Sequence, residues 1–318
     1  MMSTPWAGLV VAAGLSAAAC SGDGFDTDDV GTSAASGTAE AETTGTATAP
    51  GTIYQRTVVY VDVSGETTMF MPWDFVNRTE ADSVRHMLRG WLGRGGEWAS
   101  FTDEEWVTPL TRTPWRILPR GATRMVMGLN DVLREIHYQE GIRDLSVRPG
   151  EVIAEWSGQR GDTYRLLGGS ARLSEVEYPG LVADVYTPGT HGSARPSEWA
   201  LLIGEGPLHL LLADHEGTGT ARAWGLQASE ETSWPTVTLT WADTRSFERA
   251  RRDIPVRWRF RSSDGELMGE IESVSPHLQA IAGDGPILPV LGVYEVAGQV
   301  TVGGNRVAVK GFLRHYQR

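Results

Sequence analysis

The 318-residue sequence has one cysteine, Cys20, and one lysine, Lys310. A single thiol excludes an intramolecular disulfide, so the fold must be held by its core. A chain of this length can do that, because domains of ~150 residues or more bury most of their surface unaided. Bases are also few, 28 against 40 acids, for a net charge of -12. Half of that excess comes from Asp23, Asp26, Asp28, Asp29, Glu40 and Glu42, which lie between residues 21 and 52 with no base among them. The remainder is only mildly acidic, which argues against a nucleic-acid partner, since those call for clustered bases. Gly-x-Ser-x-Gly is absent, as is a glycine-rich loop that follows a strand and opens a helix, so a common serine hydrolase and a nucleotide site are both disfavoured. The apolar run from Trp6 to Ala19 has 14 residues, short of the ~20 needed to span a bilayer.

That run is instead shaped for export. Gly8 to Ala19 is an apolar core ending in small residues, as in secretory signals, and Ala17-Ala18-Ala19 lead directly into Cys20. The segment resembles a bacterial lipoprotein precursor, a family in which the cysteine after the small residues is lipidated and becomes the new N-terminus. The resemblance implies that residues 1–19 are a signal peptide and that Cys20 is the lipidation site. It also implies an exported protein anchored in the cell envelope, at the outer membrane if the cell has one. Two or three acyl chains suffice for stable attachment where one is marginal. Residues 20–52 are Ser, Thr, Gly, Ala and acid, with too little apolar surface to offset ordering entropy. They predict a disordered tether whose reach is on the order of 30 Å.

From Thr57 the texture changes to Val, Tyr, Thr and Trp broken by Gly and Pro, the mark of short strands. Two parts are expected: residues 53–148, an α+β or lipocalin-like half, and residues 149–318, an antiparallel β half. In the first, Thr57–Val63 and Thr67–Met71 read as a hairpin. Thr79 with Asp82 forms a capping pattern, and Ala81, Val84, Leu88 and Trp91 recur at helical spacing, which predicts one short amphipathic helix stopped by Gly93 or Gly95. Thr102 with Glu105 suggests another helical turn, and Met125 to Tyr138 fits either a strand with a turn or a short helix. After about Arg148 nearly every segment is strand-like, which predicts a mainly β barrel or sandwich. Trp199–Ile203 and Leu208–Ala213 are apolar on both faces, so that hairpin should be buried on both sides.

Two further hairpins can be registered from the letters. A turn at Ser262–Gly265 sets Arg261 against Glu266, Arg257 against Glu270, Phe260 against Leu267 and Trp258 against Gly269, with charges on one face and apolar groups on the other. A two-residue turn at Gly304-Asn305 sets Val302 against Val307, Gly298 against Gly311, and Glu295 against Arg314. The stacked Gly298 and Gly311 mark a bend, a bulge, or a close approach of a ligand or strand.

Several of these residues carry a resemblance. Pro255-Val256-Arg257-Trp258-Arg259-Phe260, Ser275-Pro276-His277-Leu278-Gln279, Tyr294-Glu295 with Gly298, and Gly311-Phe312-Leu313 with Tyr316 resemble the C-terminal part of the lipocalin-like hydroxyneurosporene synthase (carotenoid hydratase) and AttH family. The likeness spans Trp199 to Tyr316. It implies two lipocalin-like β-barrel halves and, by analogy with members that hydrate or cyclise long isoprenoids, an apolar ligand or substrate. No catalytic residue of the family is carried over.

The candidate chemistry is correspondingly open. His209 and His215 share a face of one strand but stand about 20 Å apart along it, too far to share a metal, and no metal or cofactor is expected. Alkene hydration needs a carboxylic acid inside an apolar cavity, where burial raises its pKa. Asp184, Asp214, Asp243 and Glu295 lie on or beside strands. Asp214 and Asp243 are the catalytic candidates, because the register pairs Glu295 with Arg314. Trp199, Trp241 and Trp258 are candidate ligand-binding residues, and Trp156 also falls in a strand; each suits a packed core as well as an apolar pocket, and core is the default. His191 belongs to a loop that would sit at a barrel mouth. Three functions remain open: an envelope lipoprotein that binds an apolar small molecule, an isoprenoid hydratase or cyclase working through a buried acid, and an interaction module without ligand.

Overall fold

The structure, a computed structural model, describes residues 51–65, 67–110, 120–128, 132–158, 161–190, 197–214, 219–283 and 285–318. The signal segment, Cys20, the tether up to residue 50, His191 and His215 lie outside the described residues; Thr52, the tether's last residue, already belongs to the first strand. Strands β1 (Thr52–Asp62), β2 (Met69–Thr79), β3 (Ser83–Arg94), β4 (Glu97–Pro109), β5 (Thr123–Met127), β6 (Leu133–Glu140), β7 (Arg143–Ser157), β8 (Thr163–Leu173) and β9 (Val176–Thr190) form a nine-stranded antiparallel sheet in the order 4-3-2-1-9-8-7-6-5. The sheet curls into a half-barrel. Phe101 on β4 comes within 5.0 Å of Tyr138 on β6, and the Arg120 guanidinium lies over the Trp106 ring. Strands β10 (Glu198–Gly204), β11 (Leu208–Asp214), β12 (Thr220–Gln227), β13 (Glu230–Phe247), β14 (Arg252–Ser262), β15 (Leu267–Ala280), β16 (Val290–Val302) and β17 (Asn305–Gln317) close into an eight-stranded barrel, β10 pairing with β17. The architecture is all-β and lipocalin-like. Arg148 is no boundary, because it lies inside β7; the chain passes from sheet to barrel between Thr190 and Glu198.

The expected helix is β3. Its apolar residues do recur at helical spacing, but Val84, His86 and Leu88 also alternate with Arg85, Met87 and Arg89, and a bulge at Gly90/Trp91 then reverses the phase. Strand pairing on both sides, to β2 and β4, outweighs a weak local propensity. Arg85 contacts Glu105 and Arg89 contacts Asp103 across the β3–β4 pair, contacts that a helix would not offer. The supposed turn at Thr102 and Glu105 is likewise inside β4, and Met125 to Tyr138 resolves into β5 and β6.

Period-two alternation places three large cores, beside a small cluster of Ala250, Ile254 and Val290. One fills the curled sheet with Val58, Tyr60, Met71, Trp73, Leu88 and Ile136. A second fills the barrel with Leu202, Leu210, Trp258, Phe260, Tyr294 and Leu313. The third is the seam between the two, where Val59, Phe70, Tyr164 and Trp156 of the sheet meet Trp199, Leu201, Trp224 and Phe312 of the barrel. β10 and β11 therefore bury one face in the barrel and the other in the seam, as their two-sided apolar character implies.

Both registered hairpins keep the expected faces but slide by two residues. Arg259 opposes Glu270 and Trp258 opposes Ile271, because the turn occupies residues 263–266, where Asp264 accepts from the Ser262 hydroxyl and the Glu266 amide. At the C-terminal hairpin the turn is Gly303-Gly304, both at positive φ (54° and 84°), which the Gly304-Asn305 alternative would have required of an asparagine. Val300 then opposes Val307, and Gly298 opposes Val309 rather than Gly311. Glu295 and Arg314 are consequently not partners; they oppose Phe312 and Val293.

Candidate functional site

Within the barrel, the residues in phase with Ala200 and Leu202 point inward, and the first of that series on β10 is an acid. Glu198 is buried. Its Oε1 accepts from the Trp258 indole N–H at 3.0 Å, the Trp241 indole N–H at 3.0 Å and His315 Nδ1 at 2.7 Å. A carboxylate on Nδ1 requires a proton on that nitrogen, so the ring's remaining polar atom is Nε2, which accepts when the ring carries only that one proton. His315 Nε2 and the Tyr294 hydroxyl are both buried and have no hydrogen-bond partner among the described residues. Leaving such a group unpaired costs about 1–3 kcal/mol. The Tyr294 ring meets Trp258 edge-on at 5.3 Å and His315 at 6.4 Å. Burial, and then the charge of Glu198, push the Tyr294 phenol well above its ordinary pKa, so it remains a hydroxyl donor. Trp241 closes the site. It is 43% exposed, with its N–H on Glu198 and its ring against His315 at 5.6 Å.

The expected site residues are partly gathered here. Trp258 and Trp241 both bind Glu198. Asp214 is close by in another role: its carboxylate accepts from the Ser197 amide and hydroxyl and from the Glu198 amide at 2.9 Å, which fixes the start of β10. Asp243 is exposed on the outside of β13, accepting from the Thr244 amide. Trp199 points the opposite way from Glu198, into the seam, 5.3 Å from Phe312. Asp184 lies in the sheet half, in a buried ion pair with Arg56. Glu198, Tyr294 and His315 were missed. Their signal was phase, since an acid at the head of a doubly apolar strand, in step with Ala200 and Leu202, must point into the barrel.

The other feature of note is a cleft of about 670 Å³ at the opposite end of β10, between sheet and barrel. Val61, Val63, Leu181, Ile203, Ala297 and Val309 wall it, and Asp62, Glu205 and Lys310 also line it.

Three histidines outside the Glu198 cluster bear on stability. Burial lowers the pKa of His86, of His209 and of His277, which packs between Trp91 and Trp98. The unfolded chain therefore binds more protons than the folded one below the ordinary histidine value of 6.5, so stability is fully present above it and falls as pH drops. The melting temperature is expected to decline between pH 7 and pH 5, with a shallower slope in His277→Gln. A flat profile in the unaltered protein would contradict this.

No model of a known sequence family matches the chain, and a search of the curated proteins finds no match. Solved structures do match. A candidate AttH protein from Nitrosomonas europaea superposes with a TM-score of 0.54 at 10% identity, over 84% of this chain and 92% of that one. The fold is that of AttH-like proteins. Kievitone hydratase from Nectria haematococca aligns at a TM-score of 0.49 and 14% identity, over 83% of this chain and 88% of that one. CghA in complex with Sch210972 aligns at 0.47 and 10%, over 83% and 88%. The AttH-like fold accounts for a curled sheet followed by a closed barrel in one chain; it assigns no residue a task.

Proposed function

We propose that this protein is an exported lipoprotein, held at the cell envelope through Cys20, whose β-domain binds an apolar small molecule such as a lipid or isoprenoid. The cleft between sheet and barrel carries the reading. Its volume of about 670 Å³ lies within the roughly 300–1,000 Å³ common for small-molecule sites, and Val, Leu, Ile and Ala side chains wall it beside a few polar groups, Asp62, Ser64, Glu205 and Lys310. A tether on a lipid anchor would keep that cleft within reach of membrane-dissolved molecules.

Titration of the purified protein with β-ionone, an isoprenoid ketone, is expected to quench tryptophan emission saturably. Filling the cleft with Ala297→Phe and Ala308→Phe should weaken the interaction at least tenfold. No saturable quenching, or equal affinity in the filled variant, would sink the cleft reading. Mass spectrometry of the mature N-terminus tests the anchor separately; an unmodified Cys20 would remove it.

A second reading, an isoprenoid hydratase or cyclase working through a buried acid, is favoured by one observation: a carboxyl group, Glu198, sits inside the apolar barrel. Asp214 is spent on the Ser197 and Glu198 amides and the Ser197 hydroxyl, and Asp243 is exposed on the outside of β13.

A further inference from the structure

The barrel end that holds Glu198 is distinct from the cleft. The two lie at opposite ends of β10, roughly 20 Å apart at about 3.3 Å per residue. Two polar atoms on neighbouring inward side chains, His315 Nε2 and the Tyr294 hydroxyl, are buried and unpartnered. His315 is 1% exposed, so solvent does not satisfy its ring. We propose that this end of the barrel is a binding site for the hydroxyl of an apolar alcohol, with Tyr294 donating to the alcohol oxygen and His315 Nε2 accepting its proton.

The chemistry selects the ligand class. With Glu198 on Nδ1 and a single proton on the ring, the pair offers a donor from Tyr294 and an acceptor from His315 Nε2. An alcohol offers the complement of both, an ether or ketone of only one, and a carboxylate would bring a second negative charge beside Glu198. The side chains around the polar pair are apolar: Trp258, Leu313, Ala200 and the Trp241 ring.

Entry is through Trp241. It stands between Glu198 and solvent, and β13 is irregular right after it, with register shifts at Trp241/Asp243 and Asp243/Thr244. Such bulges re-aim a side chain and loosen the local ladder. Its indole N–H is anchored on Glu198, a bond that a swing of the ring would release while Trp258 and His315 keep the carboxylate paired.

The test is calorimetric titration of the full protein with octanol and with heptyl methyl ether, which has the same number of heavy atoms but no hydroxyl. Octanol is expected to bind at one site and the ether about tenfold more weakly. Tyr294→Phe should lower octanol affinity about tenfold while leaving the melting temperature unchanged or higher, because it removes an unpaired buried hydroxyl. In the cleft-filled variant octanol binding should persist; its loss there would place octanol in the cleft and overturn the barrel site without touching the cleft reading. No octanol binding, equal affinities for octanol and ether, or unaltered octanol affinity in Tyr294→Phe would each overturn the proposal. A Tyr294→Phe protein that melts lower would also do so, since it would mean that a bound water or the barrel itself already satisfies the hydroxyl.

Discussion

Replacing Arg314 with leucine is expected to destabilise the protein by about 3–5 kcal/mol, the cost of stranding a buried charge. Arg314 lies on β17 in the seam, 5% exposed, and its Nη2 donates at 2.9 Å to Asp74 of β2, itself 3% exposed. With the guanidinium gone, Asp74 would keep, among the described residues, the Thr57 hydroxyl at 2.8 Å, a long contact from Gln55 and the more distant charge of Arg89. Chemical denaturation at neutral pH measures the loss, and a loss under about 1 kcal/mol would show that the pair is solvated. Replacing both partners, Arg314→Leu with Asp74→Leu, should cost far less, since a well-packed apolar pair often equals a buried ion pair.

The same pair sets an acid limit. Burial by itself would raise the Asp74 pKa, but the charge and hydrogen bond of Arg314, with Thr57 and Arg89, outweigh it and hold it below the ordinary 3.8. A depressed carboxylate adds stability above its unfolded pKa and loses it as pH falls through the folded value. Below about pH 4 the unaltered protein should therefore lose stability more steeply than the double leucine variant. Parallel acid limbs would contradict the assignment. Close by in the same seam, Glu295 of the barrel accepts from the Thr68 hydroxyl at 2.7 Å, so these two acids, one from each side, are both paired across the seam.

Gly311→Ala is the second large effect. A Cβ at this position would lie 2.0 Å from the Leu201 carbonyl oxygen, and one at Gly298 would lie 2.1 Å from that of Glu270. Both obstacles are backbone, so a neighbouring strand must move rather than a side chain. At Gly311 that strand is β10, the one whose pairing with β17 closes the barrel. A loss of about 3 kcal/mol or more is expected from such overpacking, read as a drop in the midpoint of urea unfolding. Gly298→Ala should behave similarly between β16 and β15. A near-neutral Gly311→Ala would mean that the closure is slack.

These glycines show how far the letters reach. Gly298 and Gly311 stood out as places where something comes close, and something does; the partner of each is a third strand, not the other glycine. The C-terminal hairpin was paired two residues off because Gly303, Gly304 and Asn305 all tolerate positive φ, and only the closed barrel selects Gly303-Gly304. A slip of two preserves the inward and outward faces, so Val302 and Val307 stay on one face without opposing each other, while Glu295 and Arg314 were wrongly married.

By itself the sequence determined what is local. Alternation with period two, carried by each strand's own residues, specified the antiparallel strands of the barrel half and the two buried faces of β10 and β11. Tertiary structure decided what depends on neighbours distant in the chain. Val84, Leu88 and Trp91 suit a helix or a strand, and pairing with β2 and β4 settled the matter. The site required closure: Glu198 meets Trp241, Trp258 and His315 across sequence separations of 43, 60 and 117 residues. No window of sequence contains that distance, because the barrel's circumference rather than the chain brings those side chains together.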